Sequence, residues 1–277
     1  MLIKRLSSQA GFAAGLALLL FFVLFPFMQM LSTSLKPADE LFTVPPLWVP
    51  KHVSMANFMA AFQHKQFVRY FMNSLAVSAI TCALVIIVSV LAAYGFTRLE
   101  FPGRKFFLNV ILVSQMFCIS AIVVPLYKIV GSLGLLNSYA GLILAYMAFT
   151  VPVAIWLLRS FLLNIPPDLE ESAMMEGASK LAAFFKVVVP LLRPGIGATA
   201  AYVFLMTWQE FLFALIFMTK PEMRTLPIGI MDFKGQYETN WGTMMAASIA
   251  ISIPVFVLFL FIQRQLISGL TEGATKG

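Results

Sequence analysis

The strongest constraint on this chain is a succession of apolar stretches, each near the ~20 residues that a bilayer-crossing helix requires. They fall at about 11–31, 71–96, 106–130, 139–158, 195–218 and 241–262, with polar connections between them. Lipid offers a backbone no hydrogen-bond partners, so stretches of this kind must satisfy their own amides and carbonyls as helices. The expected fold class is therefore an all-α membrane protein of six spans, forming a single transmembrane domain over residues 1–277. Composition agrees, since 60% of the residues are hydrophobic and only 11% charged, outside the range of soluble domains. The first stretch follows Lys4 and Arg5 as a signal peptide would. Its apolar core is too long for one, and no small-residue cleavage site precedes Ser32, so it reads as an uncleaved span.

A net charge of +7 would suggest an anionic partner in a soluble protein. Here the basic residues gather at the ends of apolar spans, where they meet anionic membrane lipid, and nucleic-acid binding is not indicated. Lys4, Arg5, Arg98, Arg104, Lys105, Arg159, Lys180, Lys186, Arg193, Arg264 and Lys276 all fall on one face of a six-span chain. By the positive-inside bias, both termini are expected in the cytoplasm and the connections at 32–70 and 219–240 outside. His52 and His64 on the first of these connections make an incomplete ligand set, so a metal site is not expected and both read as solvated. Cys82 and Cys118 lie inside apolar spans and read as small buried hydrophobes without a disulfide.

The one long polar insertion on the basic face is 166–195. Pro167 and Asp168 make a helix start, and Glu170 and Glu171 stand in the first turn, where the helix dipole favours them. Gly177 is the natural break. A second amphipathic piece from Leu181 is expected to stop near Pro190, which lacks an amide hydrogen. The insertion thus reads as a rigid knuckle of two short helices. Pro125 inside the third stretch marks an expected kink, the fourth carries Pro152, and Trp208 and Trp241 read as residues at lipid or interface boundaries.

Chemistry is sparse. There is no phosphate-cradling glycine loop, no His-Glu-x-x-His and no Gly-x-Ser-x-Gly, so the chain is not expected to be an enzyme and needs no cofactor of its own. Glu210, beside Gln209 in the fifth span, is the plainly intramembrane carboxylate; it reads either as part of a translocation path or as a structural tie between helices. One carboxylate is thin equipment for an ion-coupled carrier, which uses several mid-membrane polar groups and paired broken helices. Energy for transport would then enter through a surface, and the knuckle is the cytoplasmic surface with shape enough to receive it.

Glu171-Ser172-Ala173, followed after three residues by Gly177 and after nine more by Val187, Val189 and Pro190, resembles the EAA loop of permease subunits of bacterial ATP-binding-cassette importers. Ser172 departs from the usual alanine. Over nearly its full length the chain is similar to the shorter six-span sugar permease of the maltose-importer type. Supporting stretches are Ser34-Leu35-Lys36, Asn73-Ser74-Leu75, Ala93-Tyr94 with Arg98-Leu99-x-Phe101-Pro102-Gly103, Pro125-Leu126-Tyr127 with Gly134-Leu135, Trp208-x-Glu210-Phe211, and the closing Gly269-Leu270-Thr271-x-Gly273-Ala274-x-Lys276-Gly277. Gln209 stands where that family has asparagine. The resemblance implies a type I importer permease fold in the inner membrane. It also implies a heterodimer with a second permease, two ATPase subunits that bind ATP and magnesium, a periplasmic or lipid-anchored solute-binding protein, and a sugar as cargo. Glu171, Ser172, Ala173, Met174, Met175, Glu176, Gly177 and Ala178 would then form the coupling helix, supported by Pro190. The tail from 263, with Gly269, Leu270, Thr271, Gly273, Lys276 and Gly277, would reach the ATPases.

Overall fold

The computed structural model describes residues 2–64, 66–235 and 239–274, with side chains between 11 and 261. In order, the principal helices are α1 (Leu2–Leu35), α2 (Ala56–Gln63), α3 (Phe67–Arg98), α4 (Arg104–Ser114), α5 (Ile119–Ser132), α6 (Tyr139–Leu163), α7 (Asp168–Met175), α8 (Lys180–Leu191), α9 (Arg193–Trp208), α10 (Leu212–Phe217) and α11 (Trp241–Ala274). Stretches of α1, α3, α6 and α11 are each long and apolar enough to cross a membrane. Two bent pairs, α4 with α5 at 103° and α8 with α9 at 70°, raise that count from four to six if each pair is one span.

The first bend is not at Pro125, which lies inside α5. The ladder tightens at the end of α4, where Gln115 N donates to Leu112 O at 3.1 Å and Met116 N to Val113 O at 3.0 Å. Cys118 is then extended, with φ −66° and ψ 131°, so the chain has left the helix before Pro125 can matter. Cys118 is exposed at this break instead of buried, and Cys82 is half-buried; both are free thiols.

The chain divides into two compact units, one of residues up to Val68 with Gly229–Ile253, the other of Arg69–Ile228 with the residues from Pro254 onward. In the first unit, α1 exposes its apolar side chains between residues 11 and 28, with none of its most apolar window buried. Its hydrogen bonds to other segments gather at its C-terminal end. Asn57 Nδ2 donates to Ser34 O at 3.0 Å and Lys36 O at 2.8 Å, and the buried Lys36 ammonium donates to Leu47 O. Glu40, 6% exposed, accepts from the amides of Lys51 (2.9 Å) and His52 (3.2 Å) and lies 2.8 Å from His52 Nδ1. Burial pushes the Glu40 carboxyl up, but the His52 ring and the two amides outweigh it and hold it below the usual carboxylate range. His52 is exposed as expected, whereas His64 is half-buried and packs against Phe233 with ring centres 5.3 Å apart.

In the second unit α6 is central. Val123 and Val130 of α5, Leu142 and Tyr146 of α6, and Phe213 and Phe217 of α10 share one core. Val90 and Ala93 of α3, Leu158 and Leu162 of α6, and Phe184, Val188 and Leu192 share another. Lipid tails are as apolar as leucine, so such spans are held by close packing and hydrogen bonds, not by escape from water. Gly195 shows the requirement: a Cβ there would lie 2.6 Å from the Phe161 ring, so only glycine lets α9 cross α6 this closely. Asn73 Nδ2 donates to the carbonyls of Glu222 (3.0 Å) and Arg224 (2.9 Å) while its Oδ1 accepts from Tyr139 at 2.8 Å. With Leu226 N donating to Ser74 Oγ at 2.7 Å, this pins the 221–226 segment to α3.

Candidate functional site

The knuckle consists of α7, a turn at Gly177, and α8. Gly177 has φ +94°, in the left-handed region. Ala178 N donates to Ala173 O and Gly177 N to Met174 O, both at 3.0 Å, the reciprocal pair that closes a helix whose next residue turns left-handed. Ser179 starts the second helix by accepting from Ala182 N at 3.2 Å. That helix ends close to Pro190, as the missing amide suggests. It widens to a π-turn over Phe184–Val188, with Val189 N bonded to Phe184 O, and reaches Leu191. Shifting the ladder by one residue ahead of the proline accommodates a position that has no hydrogen to give. Leu192 N to Val188 O (2.8 Å) and Ile196 N to Leu192 O (2.9 Å) carry hydrogen bonding through the 70° bend into α9.

Glu171, Ser172, Met174, Met175, Glu176 and Gly177 are exposed and Ala173 and Ala178 half-buried, so the knuckle presents its tip outward. Met175 is 89% exposed. Its root is fixed by a group the residue pattern did not single out for this role. Glu170, on the inner side of α7, accepts from Arg98 Nε at 2.5 Å and Tyr94 Oη at 3.0 Å, and Arg98 Nη2 donates to Ile165 O at 2.7 Å. The Glu170 and Arg98 side chains are 8% and 13% exposed. The signal was present, since Tyr94 and Arg98 stand one helical turn apart at the end of the third helix; what was missing was their partner. Phe184 packs edge-on against Tyr94 at 4.7 Å, tying α8 to the same point, while Phe185 is exposed.

Glu210 has a definite structural task. It sits in the break between α9 and α10, and its carboxylate accepts from Phe213 N (2.9 Å) and Ala214 N (3.2 Å), capping the start of α10. It also lines a cavity of about 300 Å³ with Gln115 from the α4–α5 break, Tyr146, Phe149 and Thr150 of α6, and Tyr202 of α9. Two interrupted helices therefore meet at one cavity that is mainly apolar with a few polar groups, a feature not legible from composition. Gln209 is exposed and is not among the cavity's lining residues. Trp208 is not at an interface: it is 2% exposed and packs on Phe71 and Phe204 at 5.6 and 5.5 Å. Among the described residues no group of three or more potential ligands gathers around a metal position. In the tail, α11 includes Gly269, Leu270, Thr271 and Gly273 in its backbone, whereas Lys276 and Gly277 lie outside the described residues.

Comparison with known proteins places this geometry. Residues 18–272 match the family described as the binding-protein-dependent transport system inner membrane component. The sulfoquinovosyl glycerol transport system permease protein SmoH of Agrobacterium fabrum is 40% identical, over 92% of this chain and 89% of its own length. The trehalose/maltose transport system permease protein MalG of Thermococcus litoralis is 36% identical, over 95% of each. In fold, the chain superposes on a bacterial ABC transporter involved in the import of the acidic polysaccharide alginate, with a TM-score of 0.83, 20% identity, and 94% and 96% of the two chains covered. The chain belongs to the family of inner membrane components of binding-protein-dependent transport systems.

Proposed function

We propose that residues 1–277 act as one permease domain of an ATP-driven carbohydrate importer, with both termini in the cytoplasm. A second permease completes the pathway, two ATPase subunits hold ATP and magnesium, and a solute-binding protein delivers the sugar to the outward segment at 219–240. The relatives named for glycoside and disaccharide systems support a carbohydrate cargo. The observation that carries the mechanism is the knuckle: an exposed tip, Glu171 to Ala178, on a short helix rigidly stopped at Gly177 and rooted through Glu170 on Arg98. A rigid element of this kind transmits displacement as a body, where a loose loop would absorb it. When ATP closes the ATPases, the tip seated in an ATPase cleft is drawn inward. The displacement passes through the Arg98 root to α3 and through α8 to α9, reopening the pathway to the other side. Glu210, with Gln115 and Tyr202, forms part of the path that the sugar crosses.

The test is reconstitution of the complete complex in proteoliposomes. Cysteines at Ser172 and Met175 should cross-link to an ATPase subunit, and sugar uptake should require ATP and the binding protein. Uptake driven by an ion gradient with this chain alone, or a tip that cross-links only to lipid, refutes the reading.

A further inference from the structure

We propose that the pocket beneath the α3–α4 turn is a binding site for the phosphate headgroup of an anionic phospholipid. The pocket, about 530 Å³, is lined by Arg104 and Lys105 at the start of α4 and by Arg159 near the end of α6, against one carboxylate, Glu100. Three cations facing one anion repel one another unless a further negative group joins them. Their placement makes the repulsion worse. Arg104 and Lys105 occupy the first turn of a helix, the end where the dipole is already positive, and the N-cap is Gly103, which has no side chain to cap it. Among the described residues, Glu100 is the one anion that lines the pocket with them. Arg104 makes only a long bond to Thr97 O at 3.5 Å. Arg159 Nε is buried without a hydrogen-bond partner among the described residues, and the guanidinium is held 5.5 Å over the Trp156 ring. Arg159 nonetheless lines the pocket, and a guanidinium there offers a phosphate oxygen a charge-assisted partner.

The surroundings favour lipid over free phosphate. The pocket lies at the very end of α3, a 32-residue apolar helix, which is headgroup depth for a span of that length. Its remaining wall is apolar: Phe101, Phe106 and Leu108, with Phe106 65% exposed beside the cations. Inorganic phosphate has no use for such a wall, whereas the first methylenes of an acyl chain do.

The experiment uses the purified full-length chain in detergent, titrated with phosphatidylglycerol or phosphatidylcholine and read by native mass spectrometry. One phosphatidylglycerol should be retained in preference to phosphatidylcholine. Each cation removed should weaken retention about fivefold, so Arg104→Gln with Arg159→Gln should weaken it about 25-fold. Lys105 is exposed, so Lys105→Gln tests the site without disturbing packing and should show its own loss of about fivefold. Lys128→Gln with Lys220→Gln, an equal change in charge at two exposed lysines elsewhere, should leave retention within about twofold. Equal losses in both double variants, or no preference between the two lipids, overturn the proposal. So does full displacement of phosphatidylglycerol by millimolar inorganic phosphate, which would mark a free-anion site.

Discussion

Replacing Arg98 by alanine removes the anchor of α7 and leaves the Glu170 carboxylate facing a nearly closed environment. The two side chains are 13% and 8% exposed, so solvent screens their interaction little, and the contact is a charge-assisted bond of 2.5 Å. Breaking a buried pair by removing one partner typically costs ~3–5 kcal/mol. Arg98 also bonds Ile165 O, so the substitution frees the segment leading into α7 as well. The cost falls on docking of α7 rather than on the α6 core, because neither residue belongs to that core. At ~3 kcal/mol the local opening constant rises by roughly 150-fold. Hydrogen exchange of the α7 amides should therefore accelerate by about that factor while the amides of α6 keep their rates. The double variant Arg98→Leu with Glu170→Leu should be less destabilised than Arg98→Ala alone, since it leaves no uncompensated charge. If α7 exchange changes by less than about threefold, or the single effects simply add within ~0.5 kcal/mol, the pair does not root the knuckle. In the reconstituted importer the same substitution should raise ATP hydrolysis per sugar carried.

Gly177→Ala forces a Cβ into a left-handed conformation at φ +94° with no steric neighbour within 4 Å, so its cost should be the conformational ~1–2 kcal/mol alone, read as loss of α7 stability by exchange. Gly177→Pro should leave the chain inserted but uncouple ATP hydrolysis from uptake, and unaltered uptake would count against coupling through this turn. Glu210→Gln keeps one acceptor oxygen where two now cap α10, so it should cost ~1 kcal/mol, lower transport and leave assembly intact. Loss of assembly would make its role structural only. The Glu40 contacts should be pH-sensitive in a fixed direction. Because the folded carboxyl is held low, its stabilising contribution is complete above the ordinary carboxylate value and disappears as pH falls through the lowered one. Proteolysis of the 38–54 segment should therefore increase only in acid, and Glu40→Gln should abolish that dependence.

What the residue order revealed and what it hid divide along a physical line. The apolar character of the spans, the start of α7 and the turn at Gly177 depend on local properties, such as apolar length, dipole complementarity and the left-handed angle, and each can be read from a few adjacent residues. The stop near Pro190 is legible in the residue order, but the π-turn ahead of it depends on a ladder shift that proline alone does not specify. A kink is expected at Pro125 because proline is the visible breaker, yet the sharp bend falls at 115–118, where no single residue type announces it. The root at Glu170, the loop clasp at Asn73 and the cavity shared by Glu210 and Gln115 join residues 72, 149 or more, and 95 positions apart. Such pairs leave no local trace, and for a buried carboxylate the partner decides the meaning. Glu170 and Glu171 are adjacent and alike on paper. One turns inward onto Arg98 and fixes the knuckle, while the other faces out, free for a partner. A rigid coupling element needs both, since a tip that can be pushed is useful only if its root does not give way.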